Sequence, residues 1–215
     1  MRFDKKAVDY TLYLCTDREL MSCKTVEESV EKAIAGGAGI VQLREKNCTS
    51  REFYELAKRV LKITRANNVP LIINDRVDIC LAADADGVHL GQKDLPCEIA
   101  RRILGEEKLI GVSAALPEEA IKAENDGADY LGVGAVFTTS TKKDTRPVTP
   151  EIIKEICRAV TIPFVVIGGV NKDNIISLSG TGINGAAVVS AVVAQPDIEK
   201  AAREMKNAIA LTKQK

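Results

Sequence analysis

The sequence predicts an α/β fold, a closed (β/α)8 barrel of the TIM-barrel class that spans residues 1–215 as one domain. Short apolar segments alternate about eight times with segments of helical apolar spacing. Similar glycine-containing turns precede three of the apolar segments, at residues 37–39, 127–129 and 182–184. Such alternation favours a parallel sheet with right-handed crossovers. A length of 215 residues fits eight units closed into a barrel better than an open doubly wound sheet.

The individual elements follow from local chemistry. The predicted strands are residues 10–15, 39–43, 71–73, 87–90, 109–112, 130–133, 164–167 and 185–189. Thr25, with a glutamate three residues later, predicts the start of the first helix, which ends at Gly36-Gly37, and Ser50 is predicted to cap the second. Prolines that need no N–H donor are expected to begin helices at residues 96, 117 and 150. Short helices at 77–83 and 174–179 and a terminal helix from Ile198 complete the pattern.

Composition excludes several classes of partner. Thirty basic side chains balance thirty acidic ones, so no overall electrostatic field draws the protein to nucleic acid or to a membrane.

The charged amino terminus leads into no apolar segment of signal-peptide length, which predicts a cytoplasmic protein. Six scattered cysteines without a Cys-x-x-Cys pair indicate reduced, buried thiols rather than disulfides or a zinc site. The oligomeric state stays open, with a homo-oligomer among the alternatives.

Polar residues repeatedly follow the predicted strands. They include residues 42–46, 74–76, 91–94 and Ser113. In a barrel these positions meet at the carboxyl face, where barrel enzymes assemble their sites. Taken alone, residues 42–46 are equally compatible with a strand that leads into a solvated charged turn. Because the clustering recurs at strand exits, it favours a site for an anionic ligand.

Two further segments are suited to phosphate. Gly168-Gly169 follow the seventh strand and Val189-Ser190 end the eighth, the usual phosphate position in such barrels. Residues 138–143 supply hydroxyl groups and two lysines. The alternatives are that the glycines only form tight turns and that the loop is an ordinary surface loop.

Asp75 and Asp94 are candidate metal ligands. They follow neighbouring parallel strands, so their carboxylates are expected to converge. Mg²⁺ is usually held by one or two carboxylates together with water and substrate phosphate. Helix capping or turn formation is the alternative for each aspartate. Zinc fits poorly, because His89 is the only histidine, and we interpret it as a residue that either packs or supports a ligand-contacting side chain.

Taken in order, these residues resemble the thiamine-phosphate synthase (thiamine-phosphate pyrophosphorylase) family over nearly the whole chain. The resemblance is carried by residues 42–46, 73–76, 86–96, 111–113, 139–145, 167–169 and 189–191. It implies a transferase that joins 4-amino-2-methyl-5-(diphosphooxymethyl)pyrimidine to 4-methyl-5-(2-phosphooxyethyl)thiazole and releases pyrophosphate. It also implies one Mg²⁺ per subunit.

The resemblance also implies roles for individual residues. The pyrimidine diphosphate would be held by Gln42, Leu43, Arg44, Glu45, Lys46, Asn74, Ser113 and Lys142, of which Arg44, Lys46, Ser113 and Lys142 would be catalytic. The thiazole phosphate would be held by Thr139, Ser140, Thr141, Gly169, Val189 and Ser190, and Mg²⁺ by Asp75 and Asp94. A dissociative reaction agrees with a sequence that offers cations and donors but no strong nucleophile or general-base pair.

Ala114-Ala115 depart from the pattern, because many relatives place a small residue and then His or another polar group there. A related thiazole tautomerase tends to use that histidine, so Ala115 and the intact aspartate pair argue against it. A non-catalytic phosphate-binding barrel and a sugar-phosphate isomerase or epimerase are the remaining alternatives. The isomerase would need a general base at a strand end, where the carboxylates are expected to bind metal.

Overall fold

The structure, a computed structural model that describes residues 4–138 and 146–213, is a closed barrel of eight parallel strands. The strands pair in chain order, and β8 closes the barrel on β1. The strands are β1 (Leu12–Cys15), β2 (Ile40–Leu43), β3 (Leu71–Asn74), β4 (Gly87–Leu90), β5 (Leu109–Ala114), β6 (Tyr130–Gly134), β7 (Phe164–Ile167) and β8 (Gly185–Val188). The predicted fold class is therefore confirmed.

Helices follow the strands around the barrel. They are α1 (Val26–Ala35), α2 (Ser50–Ala66), α3 (Val77–Ala83), α4 (Cys97–Leu104), α5 (Pro117–Asn125), α6 (Pro150–Ala159), α7 (Ser190–Val193) and α8 (Ile198–Lys213). A 3₁₀ turn, Ile175–Leu178, takes the place of the short helix predicted between β7 and β8. The four-residue helix α7 was not predicted. Among the described residues, no helix is long and apolar enough to cross a membrane.

Helix caps explain where several helices begin. Thr25 accepts a hydrogen bond from the Glu28 N–H at 3.1 Å, as its spacing predicted. The predicted cap at Ser50 is wrong by one residue, because Thr49 caps α2 and forms a reciprocal capping box with Glu52. Pro96 is likewise the residue before α4 rather than its first residue.

The strands are buried on both faces and separate two layers of core. Inside the barrel lie Tyr10, Tyr13, Cys15, Ile40, Ile72, Leu109, Tyr130, Val165 and Ala187. The larger outer layer lies between strands and helices, and alternate residues such as Leu12, Leu14 and Leu43 belong to it. This arrangement accounts for the continuous apolar strands in the sequence.

The six cysteines are free thiols. Cys15, Cys80 and Cys97 are buried as expected, whereas Cys23, Cys48 and Cys157 are only partly buried. Burial raises the pKa of the Cys15 thiol to about 12, although the nearby Arg44 acts in the opposite direction. Cys15 is therefore a neutral, packed thiol.

Candidate active site

The carboxyl ends of the strands surround a cavity of about 700 Å³. Its lining includes ten of the residues expected to form the site: Gln42, Arg44, Lys46, Asn74, Asp75, Asp94, Ser113, Gly169, Val189 and Ser190. They lie near or just after the carboxyl ends of six strands, β2, β3, β4, β5, β7 and β8, so the closed barrel brings them together from distant parts of the sequence. Thr139, Ser140, Thr141 and Lys142 lie outside the described residues.

Two residues of the first charged segment do not line the cavity. The Leu43 side chain is fully buried in the outer core, because alternation along β2 directs it away from the barrel interior. The Glu45 carboxylate accepts hydrogen bonds from Arg18 at 3.1 and 3.3 Å. Neither side chain is placed to contact a ligand in the cavity.

The cationic groups of this segment are already paired with carboxylates. Arg44 Nη1 donates to Asp17 Oδ2 at 3.0 Å, and its backbone N–H donates to the Thr16 hydroxyl. Lys46 Nζ forms a hydrogen-bonded ion pair with Asp75. The carboxylates hold both cations at the edge of the cavity.

Asp75 and Asp94 face one another at the exits of β3 and β4. Asp75 adopts a left-handed backbone conformation with φ of 63°, which aspartate tolerates better than most residues. Its Oδ1 accepts from Asn74 Nδ2 at 2.6 Å, while Asp94 Oδ2 accepts from the Gly91 N–H at 2.7 Å. Burial, and secondarily the neighbouring Asp75 carboxylate, raises the pKa of Asp94 above its usual value. Two carboxylates brought together in this way are suited to a shared cation.

No cluster of three or more potential metal ligands exists among residues 4–138 and 146–213. Two carboxylates are nevertheless sufficient for Mg²⁺, which commonly completes its octahedron with water and substrate phosphate. The oxygen-only donor set excludes the soft ligands that zinc prefers. The aspartate pair therefore fits the expected cation.

Gly168 and Gly169 bring the exit of β7 close to the segment after β6. A Cβ at Gly168 would lie 2.5 Å from Ala135 Cβ, and one at Gly169 would lie 2.4 Å from the Thr138 carbonyl oxygen. Both glycines also have positive φ, so the backbone conformation and the close approach each require glycine. Their role in close packing does not remove Gly169 from the cavity, which it lines.

Several lining residues were not predicted from the sequence. Arg146 lines the cavity and donates to Glu119 Oε1 at 2.6 Å, while Glu119 Oε2 accepts from the Ala115 N–H at 2.8 Å. The position of Arg146 near two lysines of a polar loop was the available signal. Gln92, in contrast, belongs to the polar segment 91–94 that was expected at the site, and its Nε2 donates to the Ser113 carbonyl at 2.7 Å.

The floor of the cavity contains Tyr13 and His89. Tyr13 is fully buried and accepts a hydrogen bond from Gln42 Nε2 at 2.8 Å. His89 Nε2 lies 3.0 Å from Ser113 Oγ. His89 was interpreted as a residue that either packs or supports a ligand-contacting residue, and in the structure it lines the cavity and contacts the hydroxyl of Ser113, a candidate catalytic residue.

Comparison with known proteins identifies the family. A family model described as thiamine monophosphate synthase matches residues 12–192. A thiamine-phosphate synthase of Clostridium botulinum is 57% identical over 202 residues, which cover 94% of this chain and 95% of the relative. Another from Ruminiclostridium cellulolyticum is 56% identical over 201 residues, covering 94% and 96% of the two chains.

A solved structure gives the same result. The thiamine phosphate pyrophosphorylase of Pyrococcus furiosus superposes with a TM-score of 0.88 at 42% identity, covering 95% of this chain and 98% of that one. These names do not favour a thiazole tautomerase or a non-catalytic phosphate-binding barrel. The chain belongs to the thiamine monophosphate synthase family and carries its activity, that of a thiamine-phosphate synthase and hence a transferase.

Proposed function

We propose that the cavity joins 4-amino-2-methyl-5-(diphosphooxymethyl)pyrimidine to 4-methyl-5-(2-phosphooxyethyl)thiazole with release of pyrophosphate. The observation that carries the proposal is the position of Arg44, Lys46 and the Asp75/Asp94 pair along one side of a single cavity. These groups suit a diphosphate and its counter-ion. The opposite exits, at Gly169, Val189 and Ser190, leave a separate place for a second phosphate.

In this proposal the residues act by binding and charge stabilisation. Gln42, Asn74 and Ser113 orient the aminopyrimidine diphosphate, and Arg44 and Lys46 stabilise the negative charge that grows on the leaving diphosphate. The carbon–oxygen bond to the diphosphate breaks first, and the thiazole nitrogen then captures the pyrimidine methylene cation. Loss of one such preorganised group typically costs about 3 kcal/mol of barrier stabilisation.

Asp75 and Asp94 would hold Mg²⁺, which supplies additional positive charge to the departing diphosphate. Lys142 is proposed to act with Arg44 and Lys46, and Thr139, Ser140 and Thr141 to bind the thiazole phosphate. These four assignments rest on the resemblance alone. Leu43 and Glu45 are proposed to act indirectly, Leu43 by fixing β2 in the core and Glu45 by holding Arg18 beside the cationic segment.

The decisive experiment mixes the purified protein with both substrates and Mg²⁺ and follows thiamine phosphate and pyrophosphate by chromatography. We expect the two products in equal amounts, and none when either substrate is omitted or the cation is chelated. A protein that binds thiazole phosphate by calorimetry yet forms no product would contradict the proposal. The Ser113→Ala variant is measured in parallel. We expect it to keep the fold but to form product more slowly, which would show that turnover depends on this cavity.

A further inference from the structure

Five polar side chains form one hydrogen-bonded chain across the barrel beneath the cavity. They are, in spatial order, Gln42, Tyr13, Tyr130, His89 and Ser113. The successive heavy-atom distances are 2.8 Å from Gln42 Nε2 to the Tyr13 hydroxyl, 2.8 Å between the two tyrosine hydroxyls, 3.2 Å to His89 Nδ1 and 3.0 Å from His89 Nε2 to Ser113 Oγ. The chain therefore joins two residues assigned separately to the pyrimidine diphosphate.

The backbone leaves space for this chain. In the sheet register His89 pairs with Gly111, and Gly111 pairs with Tyr130, so the two rings approach each other over a glycine. A Cβ at Gly111 would lie 2.1 Å from Tyr130 Cζ and 2.6 Å from His89 Nδ1. A Cβ at Gly132 would lie 2.9 Å from His89 Cε1. Contact between the rings thus depends on two positions that carry no side chain.

The donor and the acceptor at each hydrogen bond of the chain can be assigned from the protons that each side chain carries. The amide nitrogen of Gln42 can only donate, so the Tyr13 oxygen accepts there. Tyr13 is fully buried, and the Tyr130 oxygen is the one acceptor within reach of its hydroxyl proton among the described contacts. The reverse arrangement would leave the hydroxyl proton of Tyr13 without an acceptor among the described residues, and an unbonded buried hydroxyl typically costs about 1–3 kcal/mol.

The same reasoning continues to the end of the chain. Tyr130 is also fully buried, and once it accepts from Tyr13 its own proton is directed to His89 Nδ1. A histidine that accepts at Nδ1 carries its proton on Nε2, and His89 Nε2 faces Ser113 Oγ. Ser113 therefore accepts from the imidazole, and its own hydroxyl proton is left to donate into the cavity that it lines.

We infer that Tyr13, Tyr130 and His89 are positioning residues that fix the Gln42 amide and make the Ser113 hydroxyl a hydrogen-bond donor toward the ligand. Tyr130 does not line the cavity, so it acts only through its neighbours. The direction of the chain is independent of the ligand. Identification of the acceptor as an oxygen of the pyrimidine diphosphate rests on the proposed function.

The tautomer of His89 tests the direction without any substrate. Because the protein contains a single histidine, the nitrogen-15 NMR signals of the imidazole ring can be assigned to His89 without ambiguity. We expect a protonated Nε2 and an unprotonated Nδ1 in the unliganded protein. Protonation at Nδ1, or signals averaged between the two forms, would overturn the inference even if the synthase activity is intact.

Substitution of the buried tyrosines tests the positioning role. Tyr130→Phe should shift the Nδ1 signal of His89 and lower kcat/KM for the pyrimidine diphosphate about tenfold, the loss expected for one buried hydrogen bond. The KM for the thiazole phosphate should stay unchanged. Tyr13→Phe is the second variant and should weaken the same kinetic constant, which keeps the test available if Tyr130→Phe folds poorly.

Tyr10→Phe is the matched control. Tyr10 is a third buried tyrosine of the barrel, with its ring 5.3 Å from that of Tyr130, but its hydroxyl forms no hydrogen bond among the described residues. Its removal should leave both the His89 spectrum and the kinetics at wild-type values. Equal effects of Tyr10→Phe and Tyr130→Phe would show that the tyrosines contribute only by packing and would overturn the inference.

Absence of synthase activity in the wild-type protein would instead contradict the proposed function. The NMR measurement of the His89 tautomer would still test the direction of the hydrogen-bonded chain.

Discussion

Lys46 and Asp75 form an ion pair at the mouth of the barrel, between the exits of the neighbouring strands β2 and β3. The lysine is a proposed diphosphate ligand, and the aspartate is a proposed metal ligand. The two binding functions are therefore electrostatically linked before any ligand enters. A cation that binds Asp75 would release Lys46 toward the diphosphate, so metal and diphosphate are expected to bind with positive cooperativity.

Asp94→Ala should lose most turnover with saturating substrates and Mg²⁺, because it removes one of the two carboxylates available to the cation. The check is steady-state product formation over a range of Mg²⁺ concentrations. Asp78→Ala is a suitable control, since Asp78 is an exposed carboxylate of α3 that is paired with Arg76. Near-normal activity of Asp94→Ala at limiting Mg²⁺ would reject the metal assignment.

Lys46→Ala should lower kcat about 100-fold or more, the usual cost of removing a preorganised charge from a site of this kind. Lys46→Arg, which retains the charge, should recover part of this loss. The measurement is single-turnover product formation. Lys172→Ala, which removes an exposed lysine paired with Glu204, should have no effect. A wild-type rate for Lys46→Ala would show that the lysine only neutralises Asp75.

Gly111→Ala should destabilise the protein strongly, by about 3 kcal/mol, because the new methyl group meets Tyr130 and His89 in a packed interior. Gly180→Ala provides the contrast. Its φ is 72° but nothing lies within 4 Å of the added Cβ, so the cost is limited to backbone strain of roughly 1–2 kcal/mol. Urea unfolding of the two variants measures the difference, and equal losses would show that the barrel interior can expand at Gly111.

Asp84→Asn should alter the pH dependence of stability. Hydrogen bonds from Lys108 and Arg65 lower the pKa of Asp84 from 3.8 to about 2 in the folded state. A lowered folded-state pKa stabilises the protein above pH 3.8, and the contribution is lost as the pH falls toward 2. The variant should therefore be less stable than wild type near pH 6, by no more than about 1 kcal/mol for so exposed a pair, and the gap should narrow on acidification.

Urea midpoints at about pH 6 and pH 3 test this expectation. High salt should shrink the gap at the higher pH, because exposed charges are screened. A gap that is constant with pH would contradict the electrostatic origin, because asparagine tolerates the left-handed backbone conformation of residue 84 as well as aspartate does.

The strands could be predicted from the sequence because each is a short, continuous apolar segment between turn residues. The ends of the helices were harder to predict. Thr49 and Ser50 are both good caps, and only the three-residue spacing from Thr49 to Glu52 distinguishes them. The predicted helix after β7 is a 3₁₀ turn. The sequence could not distinguish a 3₁₀ turn from an α-helix there, because a segment of four residues has too little apolar periodicity.

The candidate site could be predicted where residue type alone indicates chemistry. Arg44, Lys46, Asp75 and Asp94 are charged residues at strand exits, which is unusual enough to recognise. Tyr130 could not be predicted, because a tyrosine in an apolar strand is indistinguishable from a core residue. Its role depends on the hydroxyl of Tyr13, which is 117 residues away in sequence. A local sequence pattern contains no information about a contact between residues so far apart in the chain.

The pairing of Arg44, Lys46 and Arg146 with Asp17, Asp75 and Glu119 has a consequence for selectivity. Since each cation already has a carboxylate partner, a lone inorganic phosphate gains little by entering and must compete with charges that are held in place. A ligand that engages several of these cations at once, together with a metal ion, compensates for the displaced carboxylates. We therefore expect the site to bind small inorganic anions weakly and to bind a substrate that contacts several of these cations more strongly.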